Sequence, residues 1–380
     1  MSQELRNKIA QAKRIVIKIG SSSLTTAAGG IDEKRVDLIV EAVAKHKQKG
    51  HDVVLVSSGA IAAGLAPLKL QSRPKDLAMQ QAVASVGQGL LVHRYAESFA
   101  KHSITVGQVL LTAEDMSRRS HYRNAQRTFS ELLNLGVIPI VNENDTVATD
   151  EIRVGDNDRL AGIVTHLINA DALILLSDVE GLLSSPPGTP GSKLISEVKS
   201  FDDLSTLEIG GMGKSGVGTG GMVTKVQAAR IACAGGVVTI VTNAINLSAV
   251  LIGEEVGTVF WPSQIKLSAR ALWLAHATEI RGQIIIDQGA VNALVSKRAS
   301  LLPAGIKSVT GDFEEGDAVE IVNEAGVSLA RGLVNFDSAE LPALIGKSTQ
   351  NLVAEFGEGY DKEVIHRDDL VLISETKTTK

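Results

Sequence analysis

Six short apolar runs most constrain the fold of this chain: RIVIKI (14–19), DVVLVS (52–57), ITVGQVLL (104–111), VIPIV (137–141), ALILLS (172–177) and VVTIV (237–241). Their nearly continuous apolar character is that of strands buried on both faces. Between them, DEKRVDLIVEAVAKHKQKG and QRTFSELLNLG place apolar residues at helical spacing and end on glycine. Alternation of this kind predicts an α/β fold, a mainly parallel sheet sandwiched by helices. Ligands of such sheets lie beyond the carboxyl ends of the strands, so the loops that follow each run should carry the chemistry.

The pattern changes after about residue 265. A helical stretch, KLSARALWLAHA, gives way to QIIID, KSVTGDFEEGDAVEIV, GVSLARGLVNF and DLVLIS, short strand-like pieces that suggest a small β-rich barrel or sandwich. The expected organisation is an α/β domain over 1–275 and a β-rich domain over 282–376. Charge follows the same division. Residues 282–380 hold nine basic and sixteen acidic side chains, a net −7, and the first 281 hold 29 and 27, a net +2. Neither balance suits a nucleic-acid partner, whose phosphates require clustered cations. Cys233 is the sole cysteine, the opening MSQELRNKIAQAKR is polar, and no apolar stretch approaches the length of a membrane span. The expectation is a cytoplasmic protein with no membrane partner.

Five loops stand out. Lys18 is the last residue but one of the first run, where it reads equally as a lysine escaping the sheet or as a cation at the ligand edge. VSSGAIAAG (56–64) directs hydroxyls and free N–H groups to the same edge, although an ordinary serine cap has the same look. VNENDTVATDEIRVGDNDRL (141–160) crowds four aspartates, two glutamates and three asparagines between two apolar runs. It is either a solvated hairpin or a polar substrate site. The glycine-rich GGMGKSGVGTGGMVTK (210–225) runs straight into a helix with Lys225 one turn inside, an order that fits a phosphate cradle better than a linker. After ALILLS, Ser177 and Asp178 suit a nucleotide contact, but locally Asp178 reads better as a turn residue. Walker, dinucleotide, metal-ligand and G-x-S-x-G patterns are all missing, so no protein metal ligands are expected.

Taken in order, IVIKIGSSSL, VSSGAIAAG, VNENDTVATDEIRVGDND and GVGTGGMVTKVQAA resemble the loops of the amino acid kinase family, and the resemblance spans nearly the whole chain. The tail, with SLLPAGIKSVTGDFEEGDAVEIV and a late HRDD, resembles a PUA domain. The long polar segment resembles that of the family members acting on glutamate. The resemblance implies transfer of the ATP γ-phosphoryl group to the γ-carboxylate of L-glutamate, the first step of proline biosynthesis. It carries over Ser58, Asp145 and Asn157 as glutamate contacts, and Lys18, Lys225 and Asp158 as catalytic residues, Asp158 orienting the two lysines. ATP would be held by Lys18, Ser177, Asp178, Thr219, Gly220, Gly221, Met222, Val223, Thr224 and Lys225, with Mg²⁺ on its phosphates.

The chemistry of glutamate agrees. Its ammonium needs an acid, which Asp145 can supply, and its carboxylates need donors, which Asn157 and Ser58 can supply. Some acids in 150–156 remain equally solvated turn residues. A homo-oligomer (tetramer or dimer), feedback inhibition by proline and hand-over of the labile product to a glutamyl phosphate reductase are also implied, although no residue marks the last. Acetylglutamate, aspartate or uridylate kinases share the ATP loops but not the polar segment or the tail. An RNA-binding or regulatory protein on a kinase scaffold is the alternative from another class.

Overall fold

A computed structural model describes residues 2–26, 30–112, 115–116, 119–147, 156–186, 188–206, 221–263, 274, 280–357 and 359–373. The chain divides into two compact units, Met1–Lys266 and Leu267–Lys380.

The first unit is built on an eight-stranded sheet. Its strands are β1 (Arg14–Ile19), β2 (Asp52–Ser57), β3 (Val106–Leu111), β4 (Ile138–Glu143), β5 (Ala172–Ser177), β6 (Glu197–Val198), β7 (Val238–Asn243) and β8 (Thr258–Phe260), in the order β3-β4-β2-β1-β5-β7-β8-β6. Each of the six apolar runs forms a strand. Three match their runs residue for residue, β3 starts two residues late, and β4 and β7 end two residues further on. Pairing is parallel except between β7 and β8. Strands β6 and β8, of two and three residues, are too short to carry a period.

The helices of this unit are α1 (Ser2–Ala10), α2 (Glu33–Lys47), α3 (Ala60–Leu65), α4 (Leu77–Ala100), α5 (Arg119–Asn134), α6 (Asp156–Leu167), α7 (Met222–Ala234) and α8 (Leu247–Val250). Asp32 caps α2 and Asp76 caps α4, each accepting from the backbone N–H three residues on. Side chains alternate faces along a strand. Ile15, Ile17 and Ile19 of β1 therefore share a core with Val36, Val40 and Val43 of α2 and Leu91, Tyr95 and Phe99 of α4. Lys18 faces the other way, toward the side on which α6 packs.

The second unit holds β9 (Ile280–Ile286), β10 (Ile306–Gly311), β11 (Ala318–Asn323), β12 (Ser328–Leu333) and β13 (Leu370–Leu372), ordered β10-β9-β11-β12-β13. Here the strands share one mixed sheet, parallel only between β9 and β11, rather than two stacked sheets. Helices α9 (Gln288–Lys297), α10 (Leu341–Leu344) and α11 (Thr349–Phe356) complete it. Leu294 of α9 and Leu352 of α11 close its core with Ile284, Phe313, Val319 and Ile321. The stretch KLSARALWLAHA lies outside the described residues apart from Leu274.

Candidate active site

The topology marks one place on the sheet. From β1 the chain passes to β2 on one side, while β5 leads to β7 on the other. The carboxyl ends of β1 and β5 therefore border a crevice where the winding reverses, the usual ligand position in such sheets. Lys18 stands one residue before the end of β1, level with Val56 of β2 and Leu175 of β5. Helix α6, which leads into β5, brings Asp158 to the same place, and α7 brings Lys225 in its first turn.

The three side chains meet. Lys18 Nζ lies 2.6 Å from Asp158 Oδ1, and Lys225 Nζ lies 3.4 Å from Asp158 Oδ2. Asp158 is fully buried, and Lys18 and Lys225 are 3% and 4% exposed. The Thr224 hydroxyl donates to Asp158 Oδ2 at 2.6 Å, so each carboxylate oxygen is engaged. Burial, helped by the nearby Lys225 ammonium, pulls the Lys18 pKa below the ordinary lysine value against the pull of Asp158. Burial pushes the Asp158 carboxyl up, but the two ammoniums and the Thr224 hydroxyl outweigh it and hold the pKa below the ordinary value. With both lysines protonated the trio carries a net +1 in a region nearly shut off from water. Such a charge is costly to keep and attracts an anion.

Toward β2 and β4 lie the residues expected to meet glutamate. Ser58 follows β2, its N–H donating to the Ile19 carbonyl at the end of β1. The next residue, Gly59, caps α3 with φ of 106°, a left-handed conformation that strains any side chain, so a glycine and not a serine cap stands there. Asp145 lies in the turn after β4, and Asn157 in the first turn of α6 accepts from the Glu143 N–H at 3.2 Å. Residues 148–155 of the polar segment are outside the described residues.

Toward β5 and β7 lie the residues expected to meet the nucleotide. Ser177 is buried at the end of β5, and its hydroxyl donates to Asp178 Oδ1 at 3.3 Å. Asp178 is exposed, and its carbonyl accepts from Asn243 Nδ2 at the end of β7. Gly221 precedes α7, and Met222, Val223 and Thr224 form its start with Lys225. Thr219 and Gly220 are outside the described residues.

The arrangement concentrates a buried net positive charge, able to attract an anion, at the carboxyl ends of β1 and β5. A sequence model described as the amino acid kinase family matches residues 13–243, the stretch that holds every one of these side chains. The chain belongs to the amino acid kinase family. A second model, described as the PUA domain, matches residues 282–356. Curated relatives extend the likeness to almost the full length. A protein of Streptomyces coelicolor named glutamate 5-kinase is 57% identical over 368 residues, covering 97% of this chain and 98% of its own. The glutamate 5-kinase of Salinispora arenicola is 58% identical over 369 residues (97% and 100%), and that of Thermobifida fusca 55% identical over 377 (99% and 97%).

Within this amino acid kinase unit, some polar contacts near the crevice gave no sequence signal of their own. Asn142 at the end of β4 is buried and donates from Nδ2 to Gln88 Oε1 of α4 at 2.5 Å, while its own Oδ1 accepts from the Glu143 N–H. Tyr95, two turns along α4, lies 3.1 Å through its hydroxyl from Ser57 Oγ at the end of β2. Helix α4 thus grips the carboxyl ends of both β2 and β4. Gln88 and Tyr95 lie on the buried face of α4 among Val83, Ala84, Leu91 and Phe99, and a helix that also carries exposed polar residues does not set them apart in the sequence.

Proposed function

We propose that the protein is a glutamate 5-kinase, transferring the γ-phosphoryl group of ATP to the γ-carboxylate of L-glutamate to give L-glutamyl 5-phosphate, the first step of proline biosynthesis. The observation that carries this reading is the buried Lys18–Asp158–Lys225 trio at the carboxyl edge of β1. Relatives that share more than half of its residues bear that name.

The acceptor carboxylate is ionised near neutral pH, so the reaction needs no general base. It needs two anions held in line and charge placed where it develops. Lys18 and Lys225 neutralise the transferring group and the leaving phosphate. Asp158 fixes both ammoniums in place and offsets their repulsion. Asp145 takes the substrate ammonium, and Ser58 and Asn157 donate to its carboxylates. Ser177, Asp178 and residues 219–225 hold the nucleotide. Among the described residues no group of three or more His, Cys, Asp or Glu side chains is placed to hold a metal ion. Asp158 is taken up by its cations, so Mg²⁺ would be held mainly by ATP oxygens and water. When bound it would neutralise phosphate charge alongside the lysines.

The catalytic domain in this reading is 1–275, and 282–376 is a PUA-like module. Assembly as a homo-oligomer, a cytoplasmic site of action and a reductase that takes the labile acyl phosphate belong to the same proposal. The RNA-binding alternative is not favoured, since residues 282–380 are net negative. ATP turnover against a panel of amino acids and carboxylic acids, with hydroxylamine trapping the acyl phosphate, tests the assignment. Hydroxamate formed with glutamate and not with aspartate or N-acetylglutamate is the expected result; any other selectivity overturns it.

A further inference from the structure

Asp158, Gly162 and His166 are spaced by four along one face of α6, and Thr224, Ala228, Ile231 and Gly235 are spaced by four, three and four along α7. The two rows meet rung by rung. In the first rung Asp158 meets Thr224 and Lys225. In the second, a Cβ on Gly162 would come within 3.1 Å of the Ala228 carbonyl oxygen and 3.2 Å of the Ile231 side chain. In the third, His166 Nε2 donates to the Ile231 carbonyl at 2.8 Å, and its ring fills the space a Cβ on Gly235 would need, 2.0 Å from Cε1. Gly235 has φ of −87°, which any residue adopts, so room for the imidazole is what requires glycine there. Helix α6 otherwise reads as a plain amphipathic helix, and nothing in the reaction itself calls on His166.

From this we infer that His166 is a positioning residue for phosphoryl transfer: its clasp on Ile231 and Gly235, at the far end of the seam, sets the spacing at which Lys225 meets Asp158. Lys225 Nζ stands 3.4 Å from Asp158 Oδ2, whereas Lys18 Nζ is 2.6 Å from Oδ1, so the cation carried by α7 is the one whose place depends on how closely the helices run. Helix α6 runs unbroken over the two turns between Asp158 and His166, and α7 over the six residues between Lys225 and Ile231. Loosening the far rung lets the helices splay at the near one. The inference rests on the proposed role of Lys225 and Asp158 in turnover.

The test is steady-state kinetics on the full-length protein, below the melting temperature of each variant. His166→Ala is expected to lower kcat about tenfold with KM for glutamate and ATP changed less than threefold, since misplacing a catalytic group by a fraction of an ångström affects turnover before binding. His166→Gln keeps a side-chain N–H for the Ile231 carbonyl and is expected to recover most of the loss. Gly162→Ala loosens the seam from its middle rung and should reproduce the effect if the histidine variants fold poorly. Lys225→Met isolates the underlying reading, because near-normal turnover in that variant alone removes Lys225 from the reaction. If Lys225→Met is crippled and His166→Ala adds no further loss on top of it, the two residues act as one unit and the inference stands. A full tenfold added loss in the double variant, or His166→Ala and Gly162→Ala both within twofold of the parent kcat, overturns it.

Discussion

The two units bury different things. Among the described residues every fully buried polar or charged side chain lies in the first unit, from Arg6 to Thr258, with Lys18, Asp158 and Lys225 among them. The core of the second is apolar throughout, built from Ile284, Ile286, Phe313, Val319, Ile321, Leu341, Leu352 and Val364. Burying charge is unfavourable unless partners offset it, and an apolar replacement of similar volume is often as stable or more so. A fold kept only for its stability has no use for a lysine pair under its sheet. Without reference to any motif, one unit buries charge and the other buries only apolar packing.

Four substitutions or conditions press on that contrast. Asp158→Asn strikes it hardest, because two buried ammoniums lose their counter-charge. Stability should fall by about 3–5 kcal/mol, and turnover of the folded fraction by about a thousandfold; denaturant unfolding and the hydroxamate assay read the two separately. Turnover within tenfold of the parent would mean that the buried charge serves packing after all. Ile284→Ala acts on the other side. It should cost about 2–4 kcal/mol through the cavity it opens and should appear as loss of amide protection confined to residues 280–373. A matching loss across β1 to β5 would show that the units do not unfold independently.

Asp145→Ala comes next. Removing a charge-assisted contact should raise the glutamate concentration for half-saturation about ten- to a hundredfold, with ATP saturation unchanged. An equal change for both substrates would move Asp145 away from the glutamate side. The smallest effect is at His46, buried under the C-terminal end of α2 with its ring stacked on His51 at 4.4 Å between centroids. Burial, then the His51 and Lys49 charges, lowers its pKa to about 4 from an ordinary 6.5. Below pH 6.5 the unfolded chain takes up a proton that the folded chain refuses, so stability falls as pH drops from 6.5 toward 4. Melting temperatures across that window should fall more steeply for the parent than for His46→Gln; parallel curves would assign the loss to other groups.

What was legible follows from how each feature writes itself into a chain. Strands β1, β2 and β5 match their apolar runs because burial on both faces leaves no polar interruption until the ligand edge. Strands β6 and β8 are two and three residues long, below any detectable period, and the antiparallel pairing of β8 with β7 had no local signal. Helices α9 and α11 are short and set among turns and strands of the β-rich tail, where their period is not distinct. At the site, Lys18 and Lys225 each had a defensible structural explanation from sequence, and only the resemblance joined them. Their meeting on opposite oxygens of one carboxylate depends on the crossing of α6 and α7, which is a tertiary fact. The Asn142–Gln88 and Ser57–Tyr95 pairs stayed hidden for the same reason, since an amide and a phenol within apolar runs announce no partner.

Asn157 and Asp158 are neighbours in the first turn of α6, and one accepts from the backbone N–H at the last residue of β4 while the other clamps both cations. One turn of one helix therefore reaches both the end of β4 and the cationic trio. Under the proposed function, a tilt of that turn on one side would shift the Asp158 contacts on the other, coupling the two substrates through a lever one residue long.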